Sequence, residues 1–175
     1  MTYFETERLI VRDWKPTDTS TFIAMNQNSK IMQYFPYILN TKDSLLFLDK
    51  IEQHFKKYGY GLFALERKDT NEFIGYTGFW HPSFEAHFTP CIEIGWRLNN
   101  TVWNKGFATE AATACLDYAF NKIKLTEIFS FTSIHNKPSE RVMQKIGMQF
   151  IDTFNHPSIP TNHFLQKHIL YKIST

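Results

Sequence analysis

Cysteine is scarce: Cys91 and Cys115 are the two among 175 residues, too few for the disulfide framework that staples small secreted domains. Long apolar runs are missing as well, and nothing approaches the ~20 residues that a membrane-spanning helix needs. The N-terminus, Met-Thr-Tyr-Phe-Glu-Thr-Glu-Arg, is charged from its fifth residue, which excludes the apolar stretch of a secretory signal and the character of a transit peptide. The expected location is therefore cytoplasmic, with no membrane partner. Charge of one sign is also lacking. Lys plus Arg is 19 and Asp plus Glu is 17, a net charge of +2, and the basic residues are scattered rather than clustered. A nucleic-acid binder gathers its Lys and Arg on one face, so no nucleic-acid partner is expected. Seven histidines are present, but none pairs at a zinc spacing with cysteine or with another histidine, and no metal is expected. No repeat, low-complexity segment or Gly/Ser linker divides the chain, so residues 1–175 read as a single domain.

What the chain does have is aromatic area. Phenylalanine alone supplies 17 residues, enough for a dense core with some left to line a cleft. Residues 7–14 predict a first strand, ended by Lys15-Pro16, and Thr17 or Asp18 caps a helix to about Asn28. A second helix is predicted over 41–58, capped by Thr41 or Asp43, with Leu48, Ile51, Phe55 and Tyr58 on one face and Gly59 as its stop. Strands follow at 62–67 and 72–80, then a proline-bordered loop at 81–89. The fourth strand, 91–98, places Ile92, Ile94, Trp96 and Leu98 on one face and Glu93, Gly95 and Arg97 on the other. A helix from Gly106 to about Lys122 carries a wide apolar stripe, and a fifth strand spans 127–132. A short helix at 138–146, stopped by Gly147, and strands near 148–154 and 166–173 complete the order. Early antiparallel pairs with one late β-α-β crossover predict an α/β (α+β) fold. Its centre is a mixed, mostly antiparallel sheet of about seven strands with helices on both faces.

Three places carry chemistry. In CIEIGWRLNNTVWNKGFATE, residues 91–110, a strand ends in a polar loop that feeds a helix. Gly106 lets backbone approach a ligand, and a helix start favours a phosphate or pyrophosphate, with Lys105 adding a mobile cation. The same glycine is equally the requirement of a tight strand-to-helix turn. Glu93 sits in mid-strand, where a carboxylate either pairs with a cation, Arg67 or Arg97, or faces a cleft with its pKa raised toward that of a general base. Asn136 either caps the helix that follows it or bonds an extended ligand, and Ser139 is a first-turn residue or a hydroxyl facing that cleft.

WNKGFATEA, residues 103–111, resembles the acyl-CoA pyrophosphate loop of the GNAT acetyltransferase superfamily, in which Gln or Arg precedes a Gly-x-Gly/Ala turn. NKPSERVMQKIGM, residues 136–148, resembles that superfamily's second motif in the branch of the ribosomal-protein N-terminal acetyltransferases. TERLIVR at 6–12 and EIGWRL at 93–98 are similar to strands of the same branch, so the resemblance runs from about Thr6 to Ile173. It implies acetyl-CoA, as acyl donor, in a V-shaped opening between the fourth and fifth strands. Main-chain groups of Trp96, Arg97 and Leu98 would pair with the pantetheine arm. Amides of Asn104, Lys105, Gly106, Phe107, Ala108 and Thr109 would hold the pyrophosphate. Asn136 would bond the pantetheine, Ser139 would lie near the thioester sulfur, and Glu93 would take the proton from the acceptor amine. The implied activity is transfer of acetyl to a primary amine, either a small molecule or a peptide or protein N-terminus, by a monomer or homodimer. A non-catalytic acyl-CoA-binding or regulatory domain on the same fold is the alternative.

Three positions depart from the family's pattern. Trp103 stands in place of Gln or Arg, Asn104 where a second glycine is common, and Met143 where many members have a tyrosine acid. Ser139 or water is then the proton source for the leaving thiolate. Acceptor specificity is expected from the least patterned segments, 26–60, 81–90 and 152–166, whose loop aromatics either tuck into the core or line the acceptor wall.

Overall fold

Strict alternation in the middle strands decides which residues meet which helices. The computed structural model describes all 175 residues. Its strands are β1 (Thr2–Glu5), β2 (Leu9–Arg12), β3 (Leu62–Arg67), β4 (Phe73–Trp80), β5 (Glu93–Leu98), β6 (Glu127–Ser133), β7 (Gln149–Asn155) and β8 (Lys167–Ser174). The helices are α1 (Thr19–Gln27), α2 (Thr41–Tyr58), α3 (Phe107–Tyr118) and α4 (Lys137–Lys145). The strands form one eight-stranded sheet in the order β1-β2-β3-β4-β5-β6-β8-β7. Every neighbouring pair is antiparallel except β5 and β6, which are parallel and joined through α3. The α/β architecture expected from the order of elements is therefore the one observed.

One face of the sheet packs on α3 and α4. Ile94 and Leu98 of β5 meet Phe79 of β4 and a row of small residues on α3, Ala111, Ala112 and Cys115, all three fully buried. Small side chains at helical spacing let the helix axis approach the sheet closely, which is why Ala is placed there rather than Leu. The other face packs on α1 and α2 through a smaller cluster of Phe22, Ile51, Leu62 and Tyr76, flanked by Trp14, Phe47 and Trp80. Residues of opposite parity on β4 and β5 thus look into different compartments. Ile94, Trp96 and Leu98 belong to the α3 side, and Glu93, Gly95 and Arg97 to the α1/α2 side.

Several boundaries differ from the sequence expectation. The sheet has eight strands, not about seven, because residues 2–5 pair with β2 through Phe4↔Val11 and Glu5↔Ile10. The expected fourth and fifth strands are accordingly β5 and β6. Asn40, not Thr41 or Asp43, caps α2: its Oδ1 accepts from the Asp43 amide at 2.9 Å. The helix expected to run to Lys122 is α-helical only to Tyr118, and widens into a π turn over Ala119–Ile123 before Lys124 closes it at φ 67°. No glycine or proline marks that change, so sequence punctuation does not announce it.

The crossover produces the feature that matters for function. β5 and β6 share a single register pair, Glu93↔Phe129. There the Phe129 amide donates to the Ile92 carbonyl at 2.8 Å, and Ser130 Oγ to the Ile94 carbonyl at 2.9 Å. Beyond Ile94 no ladder continues, and the strands splay as expected.

Candidate active site

Main-chain direction along β5 follows from these bonds. Successive residues point their N–H and C=O to opposite neighbours. Ile92 and Ile94 point toward β6, so Trp96 and Leu98 do too, into the gap. Arg97 points its main chain toward β4, where Tyr76 is its register partner. Of the three residues expected to offer main chain to an extended ligand, geometry thus leaves Trp96 and Leu98. The Leu98 carbonyl already accepts from the Trp103 indole at 2.9 Å. Trp103 fastens the end of β5 to the loop that follows, a role for the residue that departs from the family's pattern.

Glu93 lies at the apex of the splay, partly buried, on the α1/α2 side. Neither suggested cation reaches it. Arg67 pairs with Asp69, and Arg97 donates through Nη1 to Asn26 Oδ1 at 2.6 Å. With no ion pair and no hydrogen bond to stabilise the anion, burial alone acts, and it pushes the Glu93 carboxyl up to about 8. A carboxyl in that range exchanges protons near neutral pH.

The loop between β5 and α3 has the shape of an anion cradle. Asn104 and Gly106 both adopt the left-handed region, at φ 60° and 83°. Glycine is free there, and asparagine is among the few side chains that tolerate it, so Asn104 replaces a glycine without breaking the turn. No side chain caps α3, so its first-turn amides stay available. Asn104, Lys105 and Gly106 are exposed, Ala108 and Thr109 are partly buried, and Phe107 is buried in the core. Lys105 Nζ donates to the Thr101 carbonyl at 3.0 Å, holding its charge beside the loop. An added Cβ at Gly106 meets nothing nearer than Arg8 Nη2 at 3.3 Å. The α3 start and the open β5 edge together fit a long, anionic, strand-like ligand such as acetyl-CoA.

The second motif is more constrained. Asn136 caps α4: its Oδ1 accepts from the Ser139 amide at 3.3 Å, while its Nδ2 donates to Thr132 Oγ1 at 2.9 Å. Both arms of the side-chain amide are thus engaged within the protein. The Ser139 side chain is partly buried and makes no hydrogen bond of its own to another residue. Met143 is 1% exposed in the main core, so the position of the family's tyrosine acid contributes packing only.

Sequence reasoning missed what secures the loop. The Glu110 carboxylate accepts from Thr6 Oγ1 at 2.6 Å, from the Arg8 amide at 2.9 Å and from Arg8 Nε at 2.6 Å. Arg8 also donates to the Lys105 carbonyl at 2.8 Å and covers the Phe107 ring. These partners hold the Glu110 carboxyl below its ordinary value although burial opposes them. An acidic residue in a helix's first turn was the visible signal, but its partner lies 102 residues away. Among the loop aromatics, Phe84, Phe88 and Phe154 tuck together with Phe131, whereas Phe35 and Phe164 remain 40% and 64% exposed.

The sheet thus splits beside an uncapped helix start, with an unpaired carboxylate at the apex. The acetyltransferase (GNAT) domain model matches residues 8–149, and the chain belongs to that family. It is an acetyl-CoA-dependent acyltransferase. It is 32% identical over 148 residues to the uncharacterised N-acetyltransferase YnaD of Bacillus subtilis, covering 84% of this chain and 82% of that protein. The GNAT-family acetyltransferase of Bacillus anthracis superposes with a TM-score of 0.80 at 31% identity, over 99% of this chain and 98% of that one. The spermidine N-acetyltransferase of Vibrio cholerae, solved in complex with CoA and spermine, shares the fold at a TM-score of 0.73 and 18% identity, over 95% of each chain. No three His, Cys, Asp or Glu side chains gather as metal ligands, and no helix is long and apolar enough to cross a membrane.

Proposed function

We propose that the chain, acting as one domain over residues 1–175, transfers acetyl from acetyl-CoA to a primary amine, either a small molecule or a peptide or protein N-terminus. The single observation that carries this reading is Glu93: a carboxyl at the apex of the splay, without a cation, pushed up to about 8. An ammonium must lose a proton before its nitrogen has a lone pair to attack with. Ionised Glu93 accepts that proton, directly or through a water. The amine nitrogen then bonds to the acyl carbon as the bond from that carbon to sulfur breaks, the thiolate leaves, and the remaining surplus proton on nitrogen passes, through Ser139 or a water, to the thiolate. Acetyl-CoA supplies the acyl group as an activated thioester. The N–H groups of β5 that face the gap are the donors placed to stabilise negative charge on the acyl oxygen.

The pantetheine arm would lie along Trp96 and Leu98, with Arg97 behind them in the sheet. The pyrophosphate would sit on the amides of Asn104, Lys105, Gly106, Phe107, Ala108 and Thr109. Asn136 would border the arm at the cap of α4, where its main-chain N–H donates to the Ser133 carbonyl and its C=O accepts from the Glu140 amide. Ser139 or a water would return a proton to the thiolate. The site is read as a cytoplasmic one in a monomer or homodimer.

Buried Met143 favours a second reading, a non-catalytic acyl-CoA-binding or regulatory domain, because it removes the usual phenol from the thiolate's side. A free-thiol assay across amines and short peptides separates the two. Acetyl-dependent thiol release with at least one amine, greatly slowed in Glu93→Gln, supports transfer. Tight acetyl-CoA binding with no release above hydrolysis supports the second reading.

A further inference from the structure

On the α1/α2 side of β5, Gly95 separates Glu93 from a second charged residue of the same parity. Arg97 is 8% exposed, yet no carboxylate pairs with it. Its one hydrogen bond is Nη1 to the neutral Asn26 Oδ1 at 2.6 Å, and Nε is buried with no partner. A guanidinium has five N–H donors in a planar fork that matches a carboxylate, and burying it against neutral groups alone is costly. Around it stand aromatic faces: Phe35 at 4.1 Å, Tyr76 at 5.4 Å and Phe47 at 5.9 Å from the guanidinium carbon. Phe35 sits on the exposed loop between α1 and α2. The guanidinium is thus roofed by a ring that borders solvent, not sealed beneath a helix.

We propose that Arg97 is an acceptor-specificity residue that binds a carboxylate, so that the acceptor is an amine which also carries a carboxylate group. Glu93 and Arg97 are four residues apart on one strand, so their backbones lie roughly 13 Å from each other. Both side chains occupy the compartment opposite α3. An amino acid with well-separated ends, such as an ω-amino acid or a short peptide, bridges such a span with its ammonium toward Glu93 and its carboxylate on the Arg97 fork, while Phe35, Phe47 and Tyr76 supply apolar walls. Asn26 fixes the guanidinium from behind through Nη1, leaving Nη2 for the ligand and, once the Phe35 ring moves aside, the buried and unpartnered Nε. This assignment rests on the acetyl-transfer reading for the role of Glu93, but carboxylate binding is measurable without turnover.

The test uses matched probes, glycylphenylalanine against glycylphenylalaninamide and 4-aminobutanoate against 4-aminobutanamide, on the full chain saturated with CoA or acetyl-CoA. Acids and amides differ in amine basicity, so the comparison is read in Kd by calorimetry and in KM by thiol release. Binding of at least one acid about tenfold or more tighter than its amide is expected, as for a charge-assisted bidentate pair. Arg97→Gln should bring the ratio near one, and Arg97→Lys, which keeps the charge without the fork, should retain part of it. Equal affinities for acid and amide, or no binding of any acid, overturn the carboxylate site, even where thiol release proceeds and acetyl transfer stands. Acid-selective binding without thiol release keeps the site and overturns the transfer reading instead. The wild-type comparison decides the matter even if Arg97→Gln fails to fold.

Discussion

Replacing Glu93 by Gln removes one titration from the folded protein while nearly preserving its shape, and the consequence for stability has a definite sign. The folded carboxyl holds its proton to about pH 8, whereas the unfolded one releases it near the ordinary value of 4.5. A raised folded pKa means that the stabilising contribution is complete below 4.5 and is lost as pH rises toward 8. Raising the carboxyl from 4.5 to about 8 corresponds at most to about 5 kcal/mol. Solvent reaches part of the Glu93 side chain, so about 2–3 kcal/mol is expected to remain. Urea unfolding of the wild type and Glu93→Gln at pH 5, 7 and 9 measures it. The variant should gain on the wild type by that amount between pH 5 and 9, because glutamine does not ionise. A difference that stays flat across this range would refute burial of an unpaired carboxyl at the apex, and with it the physical basis for a base there.

Two further perturbations probe the loop and the aromatic flank. Gly106→Val places a β-branched side chain at φ 83°, with its Cβ 3.3 Å from Arg8 Nη2. Left-handed strain of roughly 1–2 kcal/mol should weaken acetyl-CoA binding about tenfold or more, and unchanged affinity would contradict the pyrophosphate cradle. His168, packed against Phe154 and His156, is held neutral by burial, its pKa lowered to about 4. Folded stability should therefore be complete above pH 6.5 and decline as pH falls toward 4, by up to about 3 kcal/mol from this residue. A His168 ring that titrates near 6.5 by NMR would remove that source of acid lability.

Parity along β5 was legible in the sequence because period-2 alternation is a local property. It placed Glu93, Gly95 and Arg97 on one side, and the sheet keeps them there. The Gly106 turn was likewise readable, since a strand, a polar loop and an apolar helix follow one another within twenty residues. What escaped depends on distant partners. β1 is a four-residue edge strand tied down by the terminal amine and Tyr3 Oη on Asp13, and its own composition gives no strong strand signal. The clasp of Glu110 by Thr6 and Arg8, and the meeting of Arg97 with Asn26 across 71 residues, are products of topology. Asn136 had two readings, and only the cap geometry shows that both arms of its amide are already used. Which loop phenylalanines turn inward was also undetermined locally. Phe84 and Phe88 find Phe131 and Phe154 across two strands, whereas Phe35 stacks on a guanidinium at the edge of solvent.

The central claim is that Glu93 is the base, and the pH profile of acetyl-dependent thiol release tests it most directly. With an amine that the wild type accepts, log kcat/KM should rise with pH and bend near 8, the value to which burial pushes this carboxyl. Glu93→Gln should lower the rate by about 10²–10⁴-fold and lose that bend while its Kd for acetyl-CoA changes little. A variant with the wild-type profile and near wild-type rate would contradict the account.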